Sequence, residues 1–268
     1  KPFIMRFVLG LFKPRKTILG TDFAGKVEST GKNVKSFSTG DKVFGFNDTG
    51  SKSQAEYVTT TVENLFLIPE KIDYKQAAAS LEGASYAYTF IHKVNIQSGQ
   101  NILINGATGG IGSALLQFVR QYDVNITATC NTNNIQLIES LGADNIYDYT
   151  KKDFTKENDK YDFIFDAVGK STFGKCLTLL KEKGIYISTE LGPYSQNIFY
   201  PLLTSVLSRK VIFPTPYSTE KTIPYICNLL EKGKFNPVID RKYVLEDISK
   251  AYEYVIKGQK TGNVLIKI

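Results

Sequence analysis

The sequence predicts an α/β chain: a Rossmann-type doubly wound parallel sheet with a smaller antiparallel β region ahead of it. Three observations predict this. Residues 101–112 read NILINGATGGIG, an apolar run followed by a cluster of glycines. From residue 101 onward apolar strands and amphipathic helices alternate, the pattern of a parallel sheet covered on both faces. Before residue 90, short strand-like runs are broken by Gly, Asn and Asp turns, the pattern of antiparallel β structure.

The elements follow in chain order. The opening stretch, residues 1–12, superficially resembles a short signal sequence, but Pro2, Arg6 and the lack of a small-residue cleavage site make it a loop or lid helix. Residues 25–30, 42–46, 55–61 and 65–68 are expected as strands. Strand 101–105 ends in Asn105, and helix 110–122 follows. Between them Gly106, Gly109, Gly110 and Gly112 let the backbone turn sharply and come close to a pyrophosphate, with Ala107, Thr108 and Ile111 completing the loop. The helix N-terminus then presents free N–H groups and partial positive charge to that pyrophosphate. A second strand, 124–130, closes a βαβ unit, the context that gives a glycine loop its meaning as a dinucleotide site. Helix 134–141, strand 145–147, strand 162–166, helix 171–180 and strand 184–189 extend the sheet. Helices 221–232 and 245–257 and a strand at 263–268 complete the chain.

The position after the second strand discriminates between cofactors. A NAD-binding unit carries Asp or Glu about 20 residues past the glycines to hold the ribose 2′-hydroxyl. Here that place reads Cys130-Asn131-Thr132-Asn133-Asn134. Amides and a hydroxyl donate to a 2′-phosphate and do not repel it, so NADPH is favoured over NADH. Arg120 is the only cation from Val94 to Thr150, and Lys151 and Lys152 arrive just after the third strand, where they could supply charge or remain solvated loop lysines.

Composition limits the function classes. At 268 residues, with 42% hydrophobic and 22% charged residues, the chain is globular and of one large or two ordinary domains. No apolar run reaches the about 18 residues of a membrane span. Cys130, Cys176 and Cys227 are widely spaced and odd in number, which gives neither a disulfide framework nor a metal cluster and fits a cytoplasmic, reducing setting. The net charge is +7, but it comes from scattered lysines rather than an Arg-rich face, which argues against a nucleic-acid partner. His92 is the only histidine, and no paired carboxylates, Ser-His-Asp set or Cys-His set stands out to support a hydrolase.

Together the motifs resemble the medium-chain dehydrogenase/reductase superfamily, in its zinc-independent quinone-oxidoreductase (zeta-crystallin-like) branch. Gly20-Thr-Asp-Phe-Ala-Gly25, Gly40-Asp-Lys-Val-Phe-Gly45, Ala55-Glu-Tyr57, the loop 105–112, Ser140-Leu-Gly-Ala-Asp144, Tyr161-Asp-Phe-Ile-Phe-Asp-Ala-Val-Gly169 and Gly262-Asn-Val-Leu-Ile266 stand in family order. The resemblance implies a GroES-like catalytic β domain over residues 1–90, lacking its N-terminal part, and a Rossmann NADP(H)-binding domain over 91–215. Helices and a strand over 216–268 would return to the catalytic domain. It adds Val168 and Gly169 to the cofactor site, and gives Tyr149 a contact with the 2′-phosphate. It implies a homodimer joined through Rossmann edge strands. Zinc-dependent relatives carry Gly-His-Glu where this chain has Gly20-Thr21-Asp22, so no zinc is expected. Residues 81–87, LEGASYA, replace a Pro, a second Gly and a Thr that relatives often place near the nicotinamide. Tyr86 is the candidate catalytic donor to a substrate oxygen, with a cleft-lining role as its alternative.

The implied activity is NADPH-dependent hydride transfer to a quinone or α,β-unsaturated carbonyl. The alternatives are a cofactor-binding sensor or RNA-binding protein on a reductase fold, and an alcohol dehydrogenase, which the missing zinc ligands disfavour.

Overall fold

The computed structural model describes residues 18–47 and 49–268, so the opening stretch lies outside it. Three strands, β1 (Asp22–Lys26), β2 (Lys42–Phe46) and β3 (Leu65–Leu67), form an antiparallel sheet in the order β1-β2-β3. Two helices follow. The first, α1 (Tyr74–Ala79), starts at a capping box in which Asp73 and Gln76 exchange side-chain and backbone hydrogen bonds. The second, α2 (Glu82–His92), has its N-terminal turn against the glycine loop.

The larger layer is a six-stranded sheet. Its strands are β4 (Asn101–Asn105), β5 (Asn125–Cys130), β6 (Asn145–Asp148), β7 (Tyr161–Asp166), β8 (Leu180–Ser188) and β9 (Lys210–Ile212). They pair in parallel in the order β6-β5-β4-β7-β8-β9. The order reverses between β4 and β7, and the crevice beyond their carboxyl ends is where open α/β sheets bind ligands. Ile102, Leu103 and Ile104 of β4 are fully buried. Ile102 and Ile104 belong to one core and Leu103 to the other, as a strand covered on both faces requires.

Helix α3 (Gly110–Val119) connects β4 to β5, and every residue from Gly112 to Val119 is buried. It packs against α2 so closely that a Cβ on Gly83 would lie 2.8 Å from the backbone of Gly110. Around the sheet lie α4 (Ile135–Ser140), α5 (Phe173–Cys176), α6 (Gln196–Leu203) and α7 (Thr219–Glu231). The chain ends with β10 (Ile239–Val244), α8 (Ile248–Ile256) and β11 (Asn263–Lys267), and β11 pairs in parallel with β10. Asn263 also donates to Ala79 O at 3.2 Å, which fastens this segment to the end of α1.

Three sequence expectations are corrected. Residues 55–61 form no strand. The helix expected over 171–180 is one turn of α-helix that tightens to 3₁₀ geometry at Leu177–Leu179, because Leu180 already belongs to β8. The first βα unit's helix stops at Val119 rather than at residue 122.

Candidate functional site

The glycine loop bridges β4 and α3 at the point where the sheet order reverses. Gly106 has φ +80°, and a Cβ there would come within 2.6 Å of Val168, so glycine is needed for both conformation and space. A Cβ on Gly112 would collide with the carbonyl oxygen of Gly106 and with Ala107 Cα, so this glycine lets α3 fold tightly onto the loop. Gly109 differs. Its backbone is extended, and a Cβ would meet only Gly106 O, at 3.7 Å. The space over Gly109 is thus open, and no side chain caps α3, so its first N–H groups are available to an anion. These features fit the pyrophosphate of a dinucleotide.

A buried polar network holds the loop from below. Gly106 N donates to Thr129 Oγ1 at 2.9 Å, and Thr129 Oγ1 donates to Asn105 Oδ1 at 2.7 Å. Asn105 Nδ2 donates to Asp166 Oδ1 at 3.0 Å. Asp166 is fully buried at the end of β7 and also accepts from Val168 N, Gly169 N and Ser171 N. Tyr186 on β8 donates to its other oxygen at 2.8 Å, and burial together with that carboxylate pushes the phenol pKa far up. Asn105 therefore shapes the loop from inside. Val168 and Gly169, on the facing loop, are set by Asp166. Sequence reading passed over Thr129 and Tyr186; the carboxylate ending the apolar run of β7 was the available signal.

The segment after β5, where the sequence leads one to expect the 2′-ribose, is more occupied than its sequence suggests. Thr132 Oγ1 donates to Asp148 Oδ2 at 2.5 Å, so this hydroxyl is spoken for by a carboxylate from the neighbouring strand β6. Thr150 supplies two further hydrogen bonds to Asp148. The bonds from Thr132 and Thr150 hold the Asp148 carboxyl down to about 2. Asn134 donates to Asn131 Oδ1 at 2.9 Å and accepts from Thr261 Oγ1 at 3.3 Å. Asn133 is exposed, and Cys130 is buried, its thiol pushed up to about 11 by burial first and then by Asp148 and Glu139. Tyr149 is 53% exposed, with its backbone N bonded to Cys130 O. Lys151 and Lys152 pair with Asp148 at 3.5 Å and with Glu157 at 2.7 Å.

Tyr86 is half-buried on α2, on the helical face it shares with Gly83. His92 stacks on Tyr88 with ring centroids 3.7 Å apart, away from the loop at the far end of α2. Among the described residues there is no group of three or more His, Cys, Asp or Glu side chains arranged to hold a metal.

Comparison with known proteins agrees with this architecture. Residues 4–92 match the family model for the alcohol dehydrogenase GroES-like domain, and residues 141–266 that for zinc-binding dehydrogenase. The chain is 31% identical to the quinone oxidoreductase of Homo sapiens, over 92% of this chain and 78% of that protein. It is also 31% identical to the chloroplastic NADPH-dependent alkenal/one oxidoreductase of Arabidopsis thaliana, over 94% of this chain and 64% of that protein, so it spans less than two thirds of that relative's length. The solved quinone oxidoreductase of Coxiella burnetii superposes with a TM-score of 0.86 at 22% identity, covering 99% of this chain and 83% of that one. With a GroES-like match, a Rossmann sheet and these relatives, the chain belongs to the medium-chain dehydrogenase/reductase superfamily, in its quinone-oxidoreductase branch.

Proposed function

We propose that the chain is an NADPH-dependent reductase of quinones or α,β-unsaturated carbonyls. The observation that carries the reading is the open, uncapped N-terminus of α3 above Gly109, at the point where the sheet order reverses. The names of the human and Arabidopsis relatives supply the substrate class. A dinucleotide bound there would supply the hydride. The chain's own part is positioning. The loop 106–112 receives the pyrophosphate, Val168 and Gly169 border the crevice, and Asn131, Asn133 and Tyr149 offer donors to a 2′-phosphate without an arginine. Tyr86 on α2 is the candidate donor to the substrate oxygen. Thr21 and Asp22 stand where zinc-dependent relatives carry His and Glu, so no step is assigned to zinc.

The assay is NADPH oxidation with a panel of quinones and enones, run beside simple alcohols and aldehydes. Turnover confined to quinones or enones supports the proposal, and turnover of alcohols alone would replace it with a dehydrogenase.

Two further parts of the reading concern assembly and location. β9 is an edge strand, and α6 beside it exposes Phe199, Leu202 and Leu203, with Val206 just beyond. An open edge flanked by apolar side chains favours pairing with a second copy of the chain as a homodimer. The three cysteines are free, and no described helix is long and apolar enough to cross a membrane. Both facts are compatible with action in the cytoplasm.

A further inference from the structure

The glycine loop brings backbone dipoles to the pyrophosphate but no full positive charge. The only cation between Val94 and Thr150 is Arg120, which caps the far end of α3 and pairs with Asp144 at 3.1 Å. Lys151 and Lys152 are paired with Asp148 and Glu157. A diphosphate seated here would therefore gain no formal counter-charge from its own βαβ unit.

The structure brings one from the other end of the chain. The turn between α8 and β11 lies alongside the glycine loop. Gly262 N donates to Thr108 O at 2.6 Å, and Gly262 forms a parallel bridge with Gly109. Asn263 Oδ1 stands 2.7 Å from where a Gly110 Cβ would be. Lys260 begins this turn and is half-buried. Its Nζ donates to Gly262 O at 2.6 Å, on the same residue whose N–H bonds to the loop.

The turn is well fixed. Thr261 N donates to Asp240 Oδ2 at 2.9 Å, and Thr261 Oγ1 reaches Asn134. Asn263 Nδ2 donates to Ala79 O and Val238 O. The carboxylates whose charge reaches Lys260 are Asp240 and Glu82. The Asp240 oxygens are already engaged by Arg241, Tyr254 and Thr261. Burial pushes the Lys260 amine pKa down, opposed by those two carboxylates, so an anion placed beside it would be met by a poorly hydrated cation.

We propose that Lys260 is the cation that meets the pyrophosphate of a dinucleotide seated on the 106–112 loop, a pairing that rests on the dinucleotide reading above. Sequence order hides it, because Lys260 is brought to the loop by the pairing of Gly262 with Thr108 and Gly109. Lys260 is a binding residue in this proposal and takes no part in hydride transfer. Its charge acts in trans to the βαβ unit, so the same contact ties the turn before β11 to the bound cofactor.

Three ligands separate the phosphates: NADPH, ADP-ribose (pyrophosphate without 2′-phosphate) and 2′-AMP (2′-phosphate without pyrophosphate). Their affinities are measured by calorimetry or competition on wild type, Lys260→Gln and Lys260→Arg. Lys260→Gln is expected to weaken NADPH and ADP-ribose about tenfold or more, the loss of a hydrogen bond to a charged group, and to leave 2′-AMP unchanged. Lys260→Arg is expected to recover most of the loss. In the wild-type protein, ADP-ribose is expected to protect Lys260 from reductive methylation, a readout independent of whether the variants fold. Equal ADP-ribose affinity in wild type and Lys260→Gln, a loss confined to 2′-AMP, a uniform loss for all three ligands, or unprotected Lys260 in a protein that binds ADP-ribose would each overturn the proposal. A wild-type protein that binds neither NADPH nor ADP-ribose would instead remove the dinucleotide reading, and this proposal with it.

Discussion

Gly109 and Gly112 share one loop, and the space around them separates their roles. Gly109 is extended and open, so Gly109→Val changes only what approaches from the crevice. It should lower NADPH affinity at least tenfold, about 1.4 kcal/mol, while the melting temperature stays near that of wild type. Gly112→Val drives a branched Cβ into backbone and should lower the melting temperature sharply whether or not cofactor is present. Thermal melts beside NADPH titrations check both, and full affinity in a folded Gly109→Val protein would count against the pyrophosphate site. Tyr149 poses a narrower question. Its ring is half-exposed at the end of β6 and its backbone is pinned to Cys130. Tyr149→Phe removes only the hydroxyl, so NADPH should weaken several-fold with NADH almost unchanged. Equal weakening of both would make the tyrosine a packing residue.

At the scale of elements, β4, β7 and β8 are joined by Asp166. Its five hydrogen bonds come from an asparagine, a tyrosine and three backbone amides, all donors. Asp166→Asn puts an amide N–H where one of those donors points, and should cost about 1–3 kcal/mol of stability. It should also weaken the cofactor, because Gly106 and the 167–171 loop lose their common anchor. Urea unfolding and NADPH titration on the variant measure the two effects, and an unchanged unfolding midpoint would show that the network is dispensable. The central strands were legible in the sequence because buried parallel strands are nearly continuous apolar runs, as in Ile102-Leu103-Ile104. Residues 55–61 misled because β-branched residues favour an extended chain, yet a strand also needs a neighbour to pair with. β10, with Asp240, Arg241 and Lys242 in its middle, carries no apolar signal and was missed, as was α6, which contains Pro201.

Over the whole molecule, the site is assembled from segments distant in sequence, and this set the limit of what could be read. The glycine loop was legible because strand, loop and helix are contiguous. The occupation of Thr132 by Asp148, and of Asn134 by Thr261, was not, because each partner arrives from another strand or turn. The exposed apolar face of α6 beside β9 leads to a molecular-scale prediction. Light scattering should find a dimer in solution, and Leu202→Glu combined with Val206→Glu should shift it toward monomer without loss of helical content. A wild-type monomer at micromolar concentration would remove the dimer from the reading. The bridge from Gly262 to Thr108 and Gly109 also bears on how the protein is made. Synthesis delivers the glycine loop long before the turn that pairs with it, and chains begin to fold from the N-terminal end as they emerge. On the ribosome the loop therefore waits, with its neighbouring strands already available, for the segment that pairs with it. Cofactor capture is thus expected to wait for the turn before β11, and a nascent chain stalled before Gly262 emerges should hold NADPH poorly even after its parallel sheet has formed.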